Sequence, residues 1–242
     1  MYLSKKNIII VIKRITLQGN QMKNVLIGLV FISSLLMGDP KVLYSLDFSK
    51  QKDASAIPWL SSKGFIFQLD SKELNLQFKE GKLTFETIGA KAGFFGLKMN
   101  KALPNIGSVL IEWGVEKFPE GANWALGNNR VALGMLIALG TKTYGAGVPL
   151  VKSVPHFLGP FIGEKEKVGQ EYLGKLYKKS GRYYCVSNKT GLQQTRFDID
   201  KTFTQAFGKE TPPLTAFAFQ MNTKNTEGAA KAFIKKITFY SK

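Results

Sequence analysis

Between Val109 and Val115, apolar residues fall at alternate positions: Val109, Ile111, Trp113 and Val115 share one side of an extended chain, and Glu112 and Glu116 fall on the other. That period of two predicts a strand with one buried and one wet face. Short runs of similar character precede it: LYSLDF (43–48), GFIFQL (64–69), LNLQF (74–78), KLTFETI (82–88) and FFGLKM (94–99), punctuated by Ser, Lys, Asn and Gly. RVALGMLIAL (130–139) is apolar almost throughout, as a central strand covered on both faces would be. Residues 140–170 are rich in Gly, Pro and Lys without clear periodicity, and predict a long surface excursion. EYLGKLYK (171–178), GRYYCVSN (181–188) and TRFDI (195–199) resume the strand pattern.

Toward the C-terminus the period changes. Asp200 is a suitable N-cap, Phe203, Ala206 and Phe207 fall on one helical face, and Gly208 supplies a left-handed stop. Pro212 and Pro213 end any helix, after which Phe217, Phe219 and Met221 alternate with Ala218 and Gln220. The polar run NTKNTEG makes a turn into a last strand through Ile237 and Phe239. Together the elements predict an all-β fold, an antiparallel β-sandwich of jelly-roll type with one short helix near the C-terminal end.

Residues 1–38 stand apart from this pattern. They contain Lys5, Lys6, Lys13, Arg14 and Lys23, no acidic residue and two apolar runs. Lys23 followed by Val25 to Met37 has the basic and apolar regions of a secretory signal, with Gly38 as the last residue before cleavage. Leu36 sits where a small residue is preferred, so the alternative is an uncleaved N-terminal anchor. Gln18 and Gly19 can be encoded as a ribosome-binding sequence just upstream of Met22, which makes Met22 the expected start in a bacterial gene. The expected organisation is therefore an extension and signal over 1–38 and a single domain over 39–242. The protein is expected to be exported to the periplasm or cell envelope, with no transmembrane domain once the signal is removed.

Charge then narrows the choice of partner. The 242 residues carry a formal charge of +17; since residues 1–38 hold five of the 34 basic residues and none of the 17 acidic ones, the remainder keeps +12. A dispersed basic surface suits an envelope glycan or another anionic polymer, or lipid headgroups. Export and the absence of a recognisable binding motif argue against nucleic acid. Cys185 is the only cysteine, so no internal disulfide can form, and its setting between Tyr184 and Val186 predicts a buried thiol.

The last quarter, with FDIDKTFTQAFG, a double proline and an Asn/Thr-rich turn, resembles the bacterial "domain of unknown function 3047" family. The resemblance extends over about residues 44–240. Trp113, Pro119, Gly121 and Ala122 match the family's tryptophan strand and following turn, and Asp198, Phe203, Phe207 and Gly208 match its terminal helix. Charged family positions are replaced here: Asn128, Asn129 and Leu133 stand for paired aspartates and an arginine, Phe197 and Thr202 for an arginine and an aspartate, and Asn222, Thr223 and Lys224 for Asp-Thr-Asp. The resemblance thus implies a divergent member with a changed or degenerate site. The family has no established activity.

The candidate chemistry is correspondingly plain. His156 is the only histidine and has no second nitrogen or sulfur ligand nearby in sequence, so a zinc site or a triad is not expected. No cofactor is expected; calcium is the one metal considered, through Asp47, Asn222 and Asn225, with Lys224 opposing it. Glu112 and Glu116 lie about 13 Å apart along an extended strand, too far for paired-carboxylate glycoside hydrolysis, leaving Glu120 or Asp198 to pair with one of them through the fold. Trp59, Trp124, Tyr144, Tyr172, Tyr177 and Tyr183 are candidate flat faces for sugar rings. Among them Trp124 is singled out as exposed, grouped with Asn128, Asn129 and Arg130; Arg196 and Asp198 complete the candidate ligand-binding set. The expected function is non-catalytic ligand binding, with a glycan as the ligand. The alternatives are a carbohydrate-active hydrolase or lyase, and a structural envelope protein that binds a partner chain.

Overall fold

Two seven-stranded sheets face each other across a core of alternating side chains. The computed structural model describes residues 39–242, and Asp39–Lys242 is one compact unit. The signal, the start at Met22 and the cleavage point expected at Gly38 lie outside the described residues.

The strands are β1 (Val42–Asp47), β2 (Ala54–Ser55), β3 (Phe65–Leu69), β4 (Gln77–Lys79), β5 (Lys82–Thr87), β6 (Ala92–Leu103), β7 (Ile106–Lys117), β8 (Val131–Tyr144), β9 (Val154–Ile162), β10 (Glu171–Tyr172), β11 (Gly181–Ser187), β12 (Gly191–Asp198), β13 (Leu214–Asn222) and β14 (Ala230–Ser241). Two helices, α1 (Ile57–Ser62) and α2 (Ile199–Phe207), and a 3-10 turn (Asp70–Glu73) complete the described chain. The first sheet runs β12-β7-β14-β5-β4-β2, with β1 pairing the other half of the β14 edge that β5 uses. The second runs β10-β11-β9-β8-β13-β6-β3. All pairings are antiparallel except β9 with β11, so the second sheet is mixed rather than purely antiparallel as expected.

Alternation decides which side chains meet inside. Val109, Ile111, Trp113 and Val115 of β7 are fully buried, while Glu112 and Glu116 face solvent and pair with Lys235 and Lys231. Trp113 also donates from Nε1 to the Thr195 hydroxyl at 3.0 Å, which satisfies its polar edge. Across the core, Phe85 of the first sheet meets Phe95 of the second edge to face at 5.3 Å, and Phe239 meets Phe217 at 5.5 Å. Such aromatic contacts add about 0.5–1.5 kcal/mol each beyond area burial.

The expected surface excursion over 140–170 is overturned. β8 runs on to Tyr144, and Val154–Ile162 is an almost wholly buried strand between β8 and β11. Its inner face packs Leu158 and Ile162 into the main core, and its outer face carries Phe161 into a second cluster with Trp124, Val131, Tyr172 and Cys185. Burial on both faces removes the alternation by which a strand is recognised, and Pro155 and Pro160 further obscure it. Pro155 sits where the β8 pairing slips, between Leu139 and Thr143.

Three smaller expectations also change. The run 171–178 is a strand only over Glu171–Tyr172, because the chain turns afterwards and Tyr177 takes a left-handed conformation with φ of 60°. A second helix, α1, is present, with its proline in the first turn where a missing N–H costs nothing. The N-cap of α2 is Asp198, which accepts from the Lys201 N–H at 2.9 Å; Asp200 lies in the first turn instead. Gly208 does close α2 in the left-handed region, with φ of 62°.

Candidate functional site

The loop from Ala122 to Arg130 is a small bridged turn: Asn123 and Asn128 exchange backbone hydrogen bonds at 3.0 and 2.9 Å. Trp124 at its centre is buried, 6% exposed, so the expected exposed platform is not there. Its ring stacks on Phe161 at 4.8 Å, contacts Tyr183 at 4.7 Å and Tyr172 at 6.2 Å, and donates from Nε1 to the Arg130 carbonyl at 3.0 Å. The physical reason is that Phe161, Tyr172 and Cys185 stand on the outer face of the second sheet, and the indole covers them. Glu166, only 3% exposed, locks this lid by accepting the Trp124 N–H at 2.8 Å, a role the sequence did not signal.

Of the neighbours of Trp124 in the candidate set, the side chains of Asn128 and Arg130 are engaged internally, and Asn129 takes part through its main-chain carbonyl. Asn128 donates from Nδ2 to the carbonyls of Gly121, at 2.7 Å, and Asn225, at 3.2 Å. Arg130 donates to the carbonyls of Lys224 and, at 3.1 Å, Asn129. The turn at Asn128 and Arg130 and the turn at Lys224 and Asn225 therefore meet in space. Amide and guanidinium donors join them here, with no carboxylate pair.

Arg196 and Asp198 belong to a different part of the molecule, on β12 at the edge of the first sheet. Asp198 is occupied as the α2 cap. Arg196 is exposed, its guanidinium 4.9 Å above the Tyr240 ring, and it lines a cleft of about 380 Å³.

That cleft lies along β12 and the chain that joins β11 to it, lined by Val168, Val186 and Ser187 to Lys189 on one side and Gln193 to Arg196 on the other. Its inner members are held: Ser187 Oγ donates to Gln193 Oε1 at 3.3 Å, and Thr195 accepts from Trp113. Among the described residues, the side chains of Asn188, Lys189, Gln194 and Arg196 make no hydrogen bond or ion pair within the protein, and all four are exposed. The lining contains two cations, two free amides and no carboxylate. It can donate to hydroxyl and anionic oxygen, and its lining includes no carboxylate and no imidazole.

A second furrow, about 470 Å³, crosses the outer face of the first sheet and contains Asn75, Gln77, Lys79, Glu80, Lys82, Thr84, Glu86, Glu116 and Lys231. Three carboxylates gather here, but Lys231 pairs with Glu116 at 2.9 Å and Asn75 donates to Glu86 at 2.8 Å. No aromatic side chain lines it. The remaining aromatic candidates are used elsewhere: Trp59 packs edge-on against Phe78 at 5.4 Å, Tyr144 lies 4.2 Å from His156, and the Tyr177 hydroxyl donates to the Lys152 carbonyl. Burial pushes the phenol of Tyr183 far up.

His156 is buried among Tyr144, Phe203 and Phe207, and neither ring nitrogen has a well-formed hydrogen bond among the described residues. Burial lowers its pKa, the Ser180 backbone offsets part of that, and Lys209, Arg182 and Lys142 reinforce it. Cys185 is buried as expected, and burial pushes its thiol up. Of the calcium candidates, Asp47 accepts from Ser49 and faces Lys236, while Asn222 accepts from the Lys224 N–H at 3.1 Å. They stand on different strands in different sheets, and among the described residues no group of three or more His, Cys, Asp or Glu converges.

No protein-family model matches the chain, and no curated protein matches it significantly in sequence. Among solved structures, the apo form of BiXyn10A CBM1 aligns over 84% of this chain and 99% of its own, at 10% identity and a TM-score of 0.39. The metal-free carbohydrate recognition domain of Emp46p aligns over 81% of this chain and 95% of its own, at 11% identity and a TM-score of 0.43. Its potassium-bound form gives 9% identity and 0.40 over 81% of this chain and 96% of its own. At these values no residue here inherits a role.

Proposed function

We propose that this protein is an exported, non-catalytic β-sandwich that binds an acidic glycan in the cleft along β12. The observation that carries the reading is a cleft lined by Asn188, Lys189, Gln194 and Arg196 without a carboxylate: the first three side chains are uncommitted, and Arg196 rests on the Tyr240 ring while its N–H groups make no hydrogen bond among the described residues. Amides satisfy vicinal hydroxyls, and a guanidinium with a lysine beside it suits a sugar carboxylate or phosphate, which a neutral sugar would leave unmatched. Arg196 is the one member of the sequence-derived set that keeps this role. We also read the chain, on its terminal helix and the strands around it, as a divergent relative of the domain of unknown function 3047 family.

Calorimetric titration of residues 39–242 with acidic and neutral oligosaccharides tests the binding. Arg196→Ala and Gln194→Ala should each weaken the acidic ligand by about tenfold, the size of one lost charge-assisted or amide contact, without changing the melting temperature appreciably. Unaltered binding by Arg196→Ala rejects the cleft, and release of a shortened glycan would favour a hydrolase or lyase. Export carries its own expectation, a mature chain beginning near Asp39. Recovery of Met1 by N-terminal sequencing of the envelope fraction would contradict it.

A further inference from the structure

One end of the sandwich carries a group of apolar side chains that no described residue covers. In the loop after β8, Leu150 is fully exposed and Val148 and Val151 are 45% and 38% exposed; in the loop after β10, Leu173 and Leu176 are 49% and 39% exposed. The two loops are bound to one another. The Tyr177 N–H donates to the Ala146 carbonyl at 3.0 Å and its hydroxyl to the Lys152 carbonyl at 2.9 Å, and its ring packs edge-on against Phe157 of β9. The tip is therefore fixed to the second sheet.

Its charge is equally one-sided. Residues 141–153 and 173–180 contain Lys142, Lys152, Lys175, Lys178 and Lys179 and no acidic residue. All five lysines are exposed, and among the described residues none forms an ion pair. Of the nearest acids along the chain, Glu166 accepts the Trp124 N–H, Glu171 is held by Arg182 at 3.1 Å and by the Tyr184 hydroxyl at 2.6 Å, and Glu164 is exposed but lies past the far end of β9. Leu150 also adopts a left-handed conformation, φ of 63°, that a leucine side chain disfavours. A fully exposed leucine in that conformation helps neither folding nor solubility.

From these observations we infer that this end is a membrane-docking tip, which inserts Val148, Leu150, Val151, Leu173 and Leu176 into the interface of an anionic phospholipid bilayer while the five lysines rest on its headgroups. Apolar tips collared by lysine match the layered chemistry of a bilayer surface, apolar inside and negative at the rim. A soluble polyanion would engage the lysines and leave the leucines in water. The tip is built from loops distinct from the cleft along β12 and stands independently of the glycan reading.

Sedimentation with vesicles tests it, using residues 39–242, which hold both sheets and the whole described core without the apolar run of residues 25–37. The protein should bind vesicles of equal parts phosphatidylglycerol and phosphatidylcholine and pellet little with phosphatidylcholine alone. Leu150→Asn combined with Leu176→Gln should lower partitioning by about a hundredfold, about tenfold per leucine withdrawn from the interface. Asn tolerates the left-handed conformation, so the melting temperature should hold or rise. Lys178→Gln with Lys179→Gln should lower partitioning by about tenfold or more. Equal sedimentation of the leucine variant, binding indifferent to phosphatidylglycerol, or binding to soluble polyglutamate that matches the vesicles would each overturn the inference.

Discussion

Two tryptophans with opposite expectations are both buried, and their settings explain what sequence can and cannot reveal at the level of a residue. Trp113 sits in phase with Val109, Ile111 and Val115, and a period of two places all four inside. Trp124 sits in a turn among Asn and Gly, where periodicity is silent; its burial depends on Phe161, Tyr172 and Tyr183, which come from three other strands. Denaturation of three variants checks the contrast. Trp113→Ala and Trp124→Ala should each cost about 3–5 kcal/mol, and Glu112→Ala under about 1 kcal/mol, because Glu112 has only a 3.8 Å surface pairing with Lys235 to lose. A stable Trp124→Ala protein would mean that the indole does not cover the second cluster. Arg196 shows the reverse case: its residue type suggested binding, but only the fold placed it beside Asn188 and Lys189.

Elements were readable from the chain in proportion to how asymmetric their surroundings are. β7, β13 and β14 each have a wet or small-residue face opposite a packed one, and their alternation is plain. β9 has none, since the main core takes one face and the Trp124 cluster the other, so an apolar strand with two prolines looked like a loop. Helix α2 was readable from its stop and its buried face, Phe203 against Phe207 at 4.8 Å, but two aspartates competed for its start. Backbone geometry decides between them: Asp198 is extended and its side chain accepts the Lys201 N–H, while Ile199 and Asp200 already lie in the helix. Asp198→Ala should therefore cost about 0.5–2 kcal/mol and fray the first turn. Asp200→Ala, which loses contacts to Thr211 and Lys242 near the surface, should cost under about 1 kcal/mol. Hydrogen exchange at the Lys201 amide separates the two, because only loss of the true cap exposes that N–H.

At the scale of the whole molecule, the acid side of the stability curve should fall in two stages with separate causes. The first belongs to His156, whose imidazole is neutral in the fold because burial opposes its charge and Lys209, Arg182 and Lys142 repel a proton. Its folded pKa lies below the usual value of about 6.5, so between those two values the unfolded chain binds more protons. Stability is then complete above about pH 6.5 and declines as pH falls toward the folded value, by at most about 1.4 kcal/mol per pH unit for this single proton. The second stage belongs to carboxylates held low in the fold. Asp47 is lowered by the Ser49 hydroxyl and N–H, and in Asp200 the hydrogen bonds from Lys242 and Thr211 outweigh the opposing effect of burial. Their contribution is present above about pH 4 and is lost as pH falls further through their depressed values. Melting temperatures measured from pH 8 to pH 3 should show a shoulder that begins as pH falls below about 6.5, then a steeper fall below about 4. His156→Phe keeps an aromatic ring against Tyr144 and Phe207, removes two nitrogens without good partners, and should erase the shoulder while leaving the lower fall in place. A shoulder that survives in His156→Phe would assign the first stage to another group and leave the buried imidazole without a part in the acid response.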